Sequence, residues 1–173
     1  MPEKLLLLSN EWWKDSILKE KVKHYHRNAF KEIHDMLKYR QIIVLTGLRR
    51  VGKTTILYQI INELLKKEDS KHILYFNFDD KSIEPIDILK EFGNITNTNW
   101  EKEKCYIFFD EIQKVKDWSS KLKFLYDNLP HLKFFISGSA SLMIEKEALH
   151  NLTGRFFLKE IPPLSLKEFA ELY

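Results

Sequence analysis

Gly47-Leu48-Arg49-Arg50-Val51-Gly52-Lys53-Thr54, followed by Thr55, reads G-x-x-x-x-G-K-T, the pattern of a phosphate-binding loop. The pattern has meaning only with a strand before it and a helix after it. Ile42-Ile43-Val44-Leu45-Thr46 is an apolar, mostly β-branched run, as a parallel strand buried on both faces requires. Ile56, Leu57, Ile60, Ile61, Leu64 and Leu65 then fall on one stripe of a helix. Glycines let the backbone curl, so that successive N–H groups and the positive end of the new helix point at an anion. The stretch from Gly47 to Thr55 is therefore the candidate site for a nucleoside triphosphate. Lys53 would reach the β- and γ-phosphates, and the Thr54 hydroxyl would bind Mg²⁺.

Working outward, 173 residues suffice for one domain with a sizeable core. No apolar run is long enough to cross a bilayer, and Leu5 to Leu8 lacks the length and cleavage site of a secretory signal. The single cysteine, Cys105, excludes an internal disulfide and fits a reducing cytoplasm. Six histidines show no ligand spacing, so the chain offers no metal site of its own making. The net charge is +3, and all of it sits in residues 1–40, with nine Lys/Arg against six Asp/Glu. That bias reads as a solvated helical face, not as a nucleic-acid footprint.

Residues 1–40 read as an N-terminal helical segment and 41–173 as the core. Residues 1–23 have no clean period, and Trp12 and Trp13 either cover the sheet or form a docking patch. Ala29, Phe30, Ile33 and Leu37 predict a helix over 27–40. Further strands are expected at 73–78, in the run 105–111 that closes in two carboxylates, and at 132–137 and 156–161. Helices are expected at 85–92, from Trp118 to Leu129, over 140–149, and from a Ser165/Glu168 capping box onward. Gly93 to Trp100, rich in Asn and Thr, reads as a loop. Strands alternating with helices give a parallel sheet with helices on both faces, and ligand beyond the carboxyl ends of the strands. The loop at 47–54, Asp79-Asp80, Asp110-Glu111 and Ser137 to Ser139 all fall at such ends.

The chemistry follows from those ends. Asp110 would hold Mg²⁺ opposite Thr54, since Mg²⁺ takes few protein ligands plus waters and phosphate oxygens. Glu111, directly after it, would polarise a water for in-line attack on the γ-phosphate. Ser137 and Ser139 are candidates to hydrogen-bond the γ-phosphate or that water, Ser137 being preferred. An arginine supplied to the transferring group is worth about 10³–10⁵ in rate. Arg155 is the candidate, in cis or across the boundary of a homo-oligomer; its alternative is a salt bridge holding the turn. Arg49 and Arg50 touch phosphate or a neighbouring subunit, or else face solvent. Arg27 is placed near the base or ribose.

The motifs in their order resemble the prokaryotic AAA-like P-loop ATPases of the archaeal ATPase group. The resemblance rests on Leu45 to Thr55, Tyr75-Phe76-Asn77-Phe78-Asp79-Asp80 and Phe109-Asp110-Glu111-Ile112-Gln113 with Trp118. It continues through Ile136-Ser137-Gly138-Ser139, Leu152-Thr153-Gly154-Arg155, Pro163-Leu164-Ser165 and Glu168-Phe169, covering about residues 25–172. It implies the α/β three-layer sandwich of P-loop NTPases, with a parallel five-stranded sheet in the order 5-1-4-3-2. It also implies ATP, Mg²⁺, Glu111 as catalytic glutamate and Ser137 as polar sensor. Members usually continue into a further C-terminal domain.

The expected function is thus Mg²⁺-dependent ATP hydrolysis to ADP and phosphate, coupled to an unidentified protein partner or a conformational change. The alternative is a nucleotide-dependent switch with negligible turnover. A phosphotransferase would need a basic lid, and a GTPase an Asn-Lys-x-Asp segment; neither is in the sequence. Coupling to DNA or RNA would need a steep salt dependence of binding, which the charge pattern does not call for.

Overall fold

Five apolar runs become five parallel strands: β1 (Ile42–Thr46), β2 (Ile73–Asn77), β3 (Cys105–Asp110), β4 (Leu132–Ser137) and β5 (Phe156–Glu160). The computed structural model describes residues 2–18, 25–79, 83–139 and 150–172. The helix expected over 140–149, and Asp80, lie outside those residues. The strand order is β2-β3-β4-β1-β5, which read from the other edge is 5-1-4-3-2, as expected. Every neighbouring pair is parallel.

Strand alternation divides the core in two. Ile42 and Val44 face one side with Leu74, Phe76, Ile107, Phe109, Phe134 and Ile136. That side is covered by α1 (Pro2–Ser9), α5 (Pro85–Thr96) and α6 (Trp118–Asn128). Ile43 and Leu45 face the other side with Ile73, Tyr75, Tyr106, Phe108 and Phe135. There α2 (Trp12–Asp15), α3 (Asn28–Met36) and α4 (Lys53–Leu64) lie over the sheet. The last helix, α7 (Leu166–Leu172), begins at the expected capping box. The Ser165 N–H and hydroxyl both donate to Glu168, and the Glu168 N–H donates back to the Ser165 hydroxyl.

The N-terminal segment closes a sheet edge. β2 is an outer strand, and its unpaired carbonyls and amides would invite another chain to pair. Trp12 and Trp13 both donate their indole N–H to the Ile73 carbonyl, at 3.1 and 2.8 Å. The Asn10 amide pairs with the Tyr75 backbone like a one-residue strand, donating to its carbonyl at 2.9 Å and accepting from its N–H at 2.6 Å. The two tryptophans therefore cover the sheet.

Two element boundaries differ from expectation. Only the second half of the stretch after Phe92 is a loop: α5 runs on through Gly93 to Thr96, and residues 97–100 leave the helix. Trp100 folds back so that a Cβ at Gly93 would sit 2.7 Å from its ring, and Thr96 donates its hydroxyl to the Phe92 carbonyl. The Thr96 hydroxyl is thus bonded inside the helix, which ends at Asn97 in the left-handed conformation. Conversely α3 stops at Met36, four residues short of the expected 40.

Candidate functional site

The loop between β1 and α4 keeps its curl through three positive φ angles, at Gly47 (143°), Arg50 (64°) and Gly52 (97°). Gly47 is required twice over, because a Cβ there would lie 2.4 Å from the Ile161 carbonyl oxygen. At Gly52 a Cβ would meet nothing within 4 Å, so the concave side is open. Lys53 is 5% exposed, and its ammonium donates to the loop carbonyls of Gly47 and Leu48 at 3.1 and 2.8 Å. A cation is thereby held at the mouth of the curl.

Strand register brings the acids to that mouth. Asp110 ends β3 opposite Asn77, and Ser137 ends β4 opposite Leu45 of β1. Phe108 faces the α4 side of the sheet, so Asp110, two residues on, does too. Its carboxylate is 1% exposed and accepts four hydrogen bonds. Thr54 and Tyr75 donate hydroxyls to Oδ2 at 2.7 and 2.9 Å; the Ser137 hydroxyl and the Glu111 N–H (3.1 Å) donate to Oδ1. Burial, then the Asp110 charge, pushes the Tyr75 phenol far up. Burial also raises its neighbour Tyr58 to about 12. Tyr75 therefore stays protonated and remains a donor.

Glu111 sits in the left-handed region at φ 54° and accepts from the Gln113 amide at 2.6 Å. It lines a cavity of about 520 Å³ together with Arg49, Arg50, Gly52, Lys53, Thr54 and Thr55. Asp79 and Lys114, an ion pair, close its far side. A second cavity of about 690 Å³ opens on the other flank of the loop. It shares Arg49, Arg50, Gly52 and Thr55 with the first but has apolar walls, among them Leu48, Val51, Ile56, Pro163, Leu164 and Leu172. One polar and one apolar compartment thus flank a single phosphate-binding curl.

Thr54 and Asp110 suit a hard divalent cation. Both offer oxygen, and among the described residues no Lys or Arg is recorded in an ion pair with the Asp110 carboxylate. The described residues contain no ready-made cluster of three or more His, Cys, Asp or Glu that would hold a metal by themselves. A cation here would complete its shell with water and phosphate oxygens.

Two expected residues, Ser137 and Arg155, stand elsewhere than anticipated. Ser137 is wholly buried with its hydroxyl on Asp110, so within this structure it orients the acid and does not face the phosphate cavity. The Ser139 hydroxyl accepts from the amide of Gln113 at 3.5 Å, the same amide that holds Glu111. Arg155 lies at the opposite end of the sheet, where its carbonyl accepts from the Ile42 N–H at the start of β1. Its guanidinium is forked onto Asp127 at 2.8 and 3.0 Å. A parallel strand carries its first residue far from its last, so Arg155 stands away from the phosphate loop of its own chain. Arg27 does line the apolar cavity, but its donors are taken by protein: Glu168 and the carbonyls of Val51, Pro162 and Pro163.

Sequence reading missed Tyr75 and the latch made by Arg27. The only local signal for Tyr75 was a hydroxyl inside an apolar run; register with Phe108 and Asp110 is what aims it.

Comparison with known proteins agrees with this geometry. A family described as AAA domain matches residues 39–170. An uncharacterized protein of Methanocaldococcus jannaschii is 35% identical over 159 residues, 90% of this chain and 31% of that protein. A second from the same organism is 37% identical over 147 residues, 82% of this chain and 31% of its own length. An uncharacterized protein of Haemophilus influenzae is 31% identical over 131 residues, covering 74% and 32%. The chain thus spans about a third of the length of the curated relatives it matches. The crystal structure of Saccharomyces cerevisiae RIF2 superposes with a TM-score of 0.57 at 13% identity, over 99% of this chain and 67% of that one, a likeness of fold alone. No helix among the described residues is long and apolar enough to cross a membrane. With its phosphate loop, its parallel sheet in the order 5-1-4-3-2 and a family match over residues 39–170, the chain belongs to the AAA domain family of P-loop, ATPase-like nucleotide-binding domains.

Proposed function

We propose that this domain binds ATP with Mg²⁺ and hydrolyses it to ADP and phosphate. The observation that carries the reading is the Thr54 hydroxyl bonded to the buried Asp110 at 2.7 Å, with Glu111 on the wall of the same cavity. Amides of the 47–54 curl and the Lys53 ammonium would bind the β- and γ-phosphates. Thr54 and Asp110 would hold Mg²⁺, which when bound neutralises charge on the phosphate oxygens. Tyr75 and Ser137 keep Asp110 aimed at that position. Glu111 would take the proton of the attacking water, and Gln113 fixes its carboxylate meanwhile. Adenine and ribose would occupy the apolar cavity beside Leu48, Val51 and Leu172. The reducing cytoplasm fits the lone buried Cys105.

Glu111→Gln should retain ATP binding and lose about 10²–10⁴-fold in turnover, the usual worth of a positioned general base. Phosphate release in the presence of Mg²⁺ measures it, and equal turnover would remove Glu111 from the chemistry. Lys53→Ala should abolish binding of the triphosphate. One observation favours the slower, switch-like alternative: Arg155 is tied to Asp127 away from the site, so an isolated chain lacks that cation at the transferring group. If copies of the chain supply it to one another, specific activity will rise with protein concentration.

A further inference from the structure

Helix α7 is attached to the domain by polar contacts more than by a core. Leu166 is 90% exposed and Phe169 54%, and Glu168 is the buried residue of the helix. Elements with few buried apolar contacts open at low free energy. What holds α7 is a latch. Arg27 donates Nε and Nη2 to the two oxygens of Glu168, both at 3.1 Å, with side-chain exposures of 8% and 10%. A second tie runs from the Tyr25 hydroxyl to Glu171 at 2.8 Å.

The same guanidinium reaches further. Its Nη1 donates to the Val51 carbonyl of the phosphate loop at 2.8 Å, and Nη2 to Pro162 and Pro163 at 3.0 and 3.2 Å. One planar cation thus joins the loop, the segment after β5 and α7. Leu172 at the end of α7, with Leu164 and Pro163 before it, walls the apolar cavity. A flat ring placed in that cavity would add an apolar contact to α7 through Leu172.

We propose that Arg27 and Glu168 are positioning residues that make nucleoside binding and docking of α7 a single equilibrium. The inference rests on the ATP reading above. Coupling of this kind is reciprocal: whatever the nucleoside does for α7, docked α7 does for nucleoside affinity. The polar cavity is lined by none of Pro163, Leu164 and Leu172, so the coupling belongs to the base and ribose.

Two measurements test it, each with ATP and with inorganic triphosphate in the presence of Mg²⁺. In hydrogen exchange on the unaltered protein, ATP should slow the amides of 169–172 at least about tenfold. Inorganic triphosphate should protect 47–54 and change 169–172 by less than about twofold. In binding, Glu168→Gln and Arg27→Lys, checked by circular dichroism to be folded at the assay temperature, should weaken ATP about tenfold and triphosphate less than twofold. ATP protection of 47–54 with none at 169–172 overturns the inference and leaves the ATP reading standing. So does equal protection of 169–172 by the two ligands, or an equal loss of both affinities in the variants. Protection of neither segment by either ligand removes the ATP reading and the inference with it.

Discussion

Gly47 and Gly52 have the same sequence signal and different physical jobs. Both carry positive φ, which strains any other residue by about 1–3 kcal/mol. Gly47→Ala adds a clash, because the new methyl would lie 2.4 Å from the Ile161 backbone oxygen. Its unfolding free energy should fall by about 3 kcal/mol or more. Gly52→Ala should fall by about 1–2 kcal/mol, since its methyl meets open space, while losing phosphate binding. Urea denaturation ranks the two; the reverse order would contradict the close approach at Ile161. Tyr75→Phe removes one donor from Asp110, worth about 1 kcal/mol of stability. It should also lower Mg²⁺-dependent turnover severalfold, with the fold unchanged by circular dichroism.

Among elements, the N-terminal segment is the one whose purpose periodicity could not reveal. Asn10 is 1% exposed, and replacing it by Ala strands the Tyr75 N–H and carbonyl on an outer strand. The expected loss is about 2–4 kcal/mol, because buried polar groups left unpaired cost about 1–3 kcal/mol each. The freed edge of β2 should then promote self-association, visible by light scattering at concentrations where the unaltered protein stays monodisperse. At the other end of the sheet, Asp127→Ala frees Arg155 without touching the phosphate cavity. Turnover measured at low protein concentration should be unchanged. The Gly93 helix shows the opposite limit of local reading: Asn and Thr spelled a loop, and a tryptophan seven residues on overruled them.

At the scale of the molecule, the Arg27–Glu168 pair joins the first forty residues to the last helix, and it leaves a pH signature. The Arg27 guanidinium, then the Ser165 N–H, hold the Glu168 carboxyl down at about 2 against an ordinary 4.5. A depressed acid contributes stability above its unfolded value and loses it on protonation. The difference in denaturation midpoint between the unaltered protein and Glu168→Gln should therefore be full above pH 4.5 and shrink towards zero near pH 2. A constant difference across that window would mean that Glu168 is not ionised in the fold. The sequence by itself determined the phosphate loop, the strands, the capping box and the pairing of Asp110 with Glu111, because each is written in residues a few positions apart. The family's strand order was legible too, through motifs in series. The tertiary structure alone decided which side chains meet near the phosphate loop: Tyr75 and Ser137 were turned onto Asp110, Arg155 was sent to the far end of the sheet, and Arg27 was bonded to Glu168 and Val51. Those outcomes depend on register between strands and on contacts across 27 to 141 positions of sequence, and nothing in a local run of residues encodes such distances.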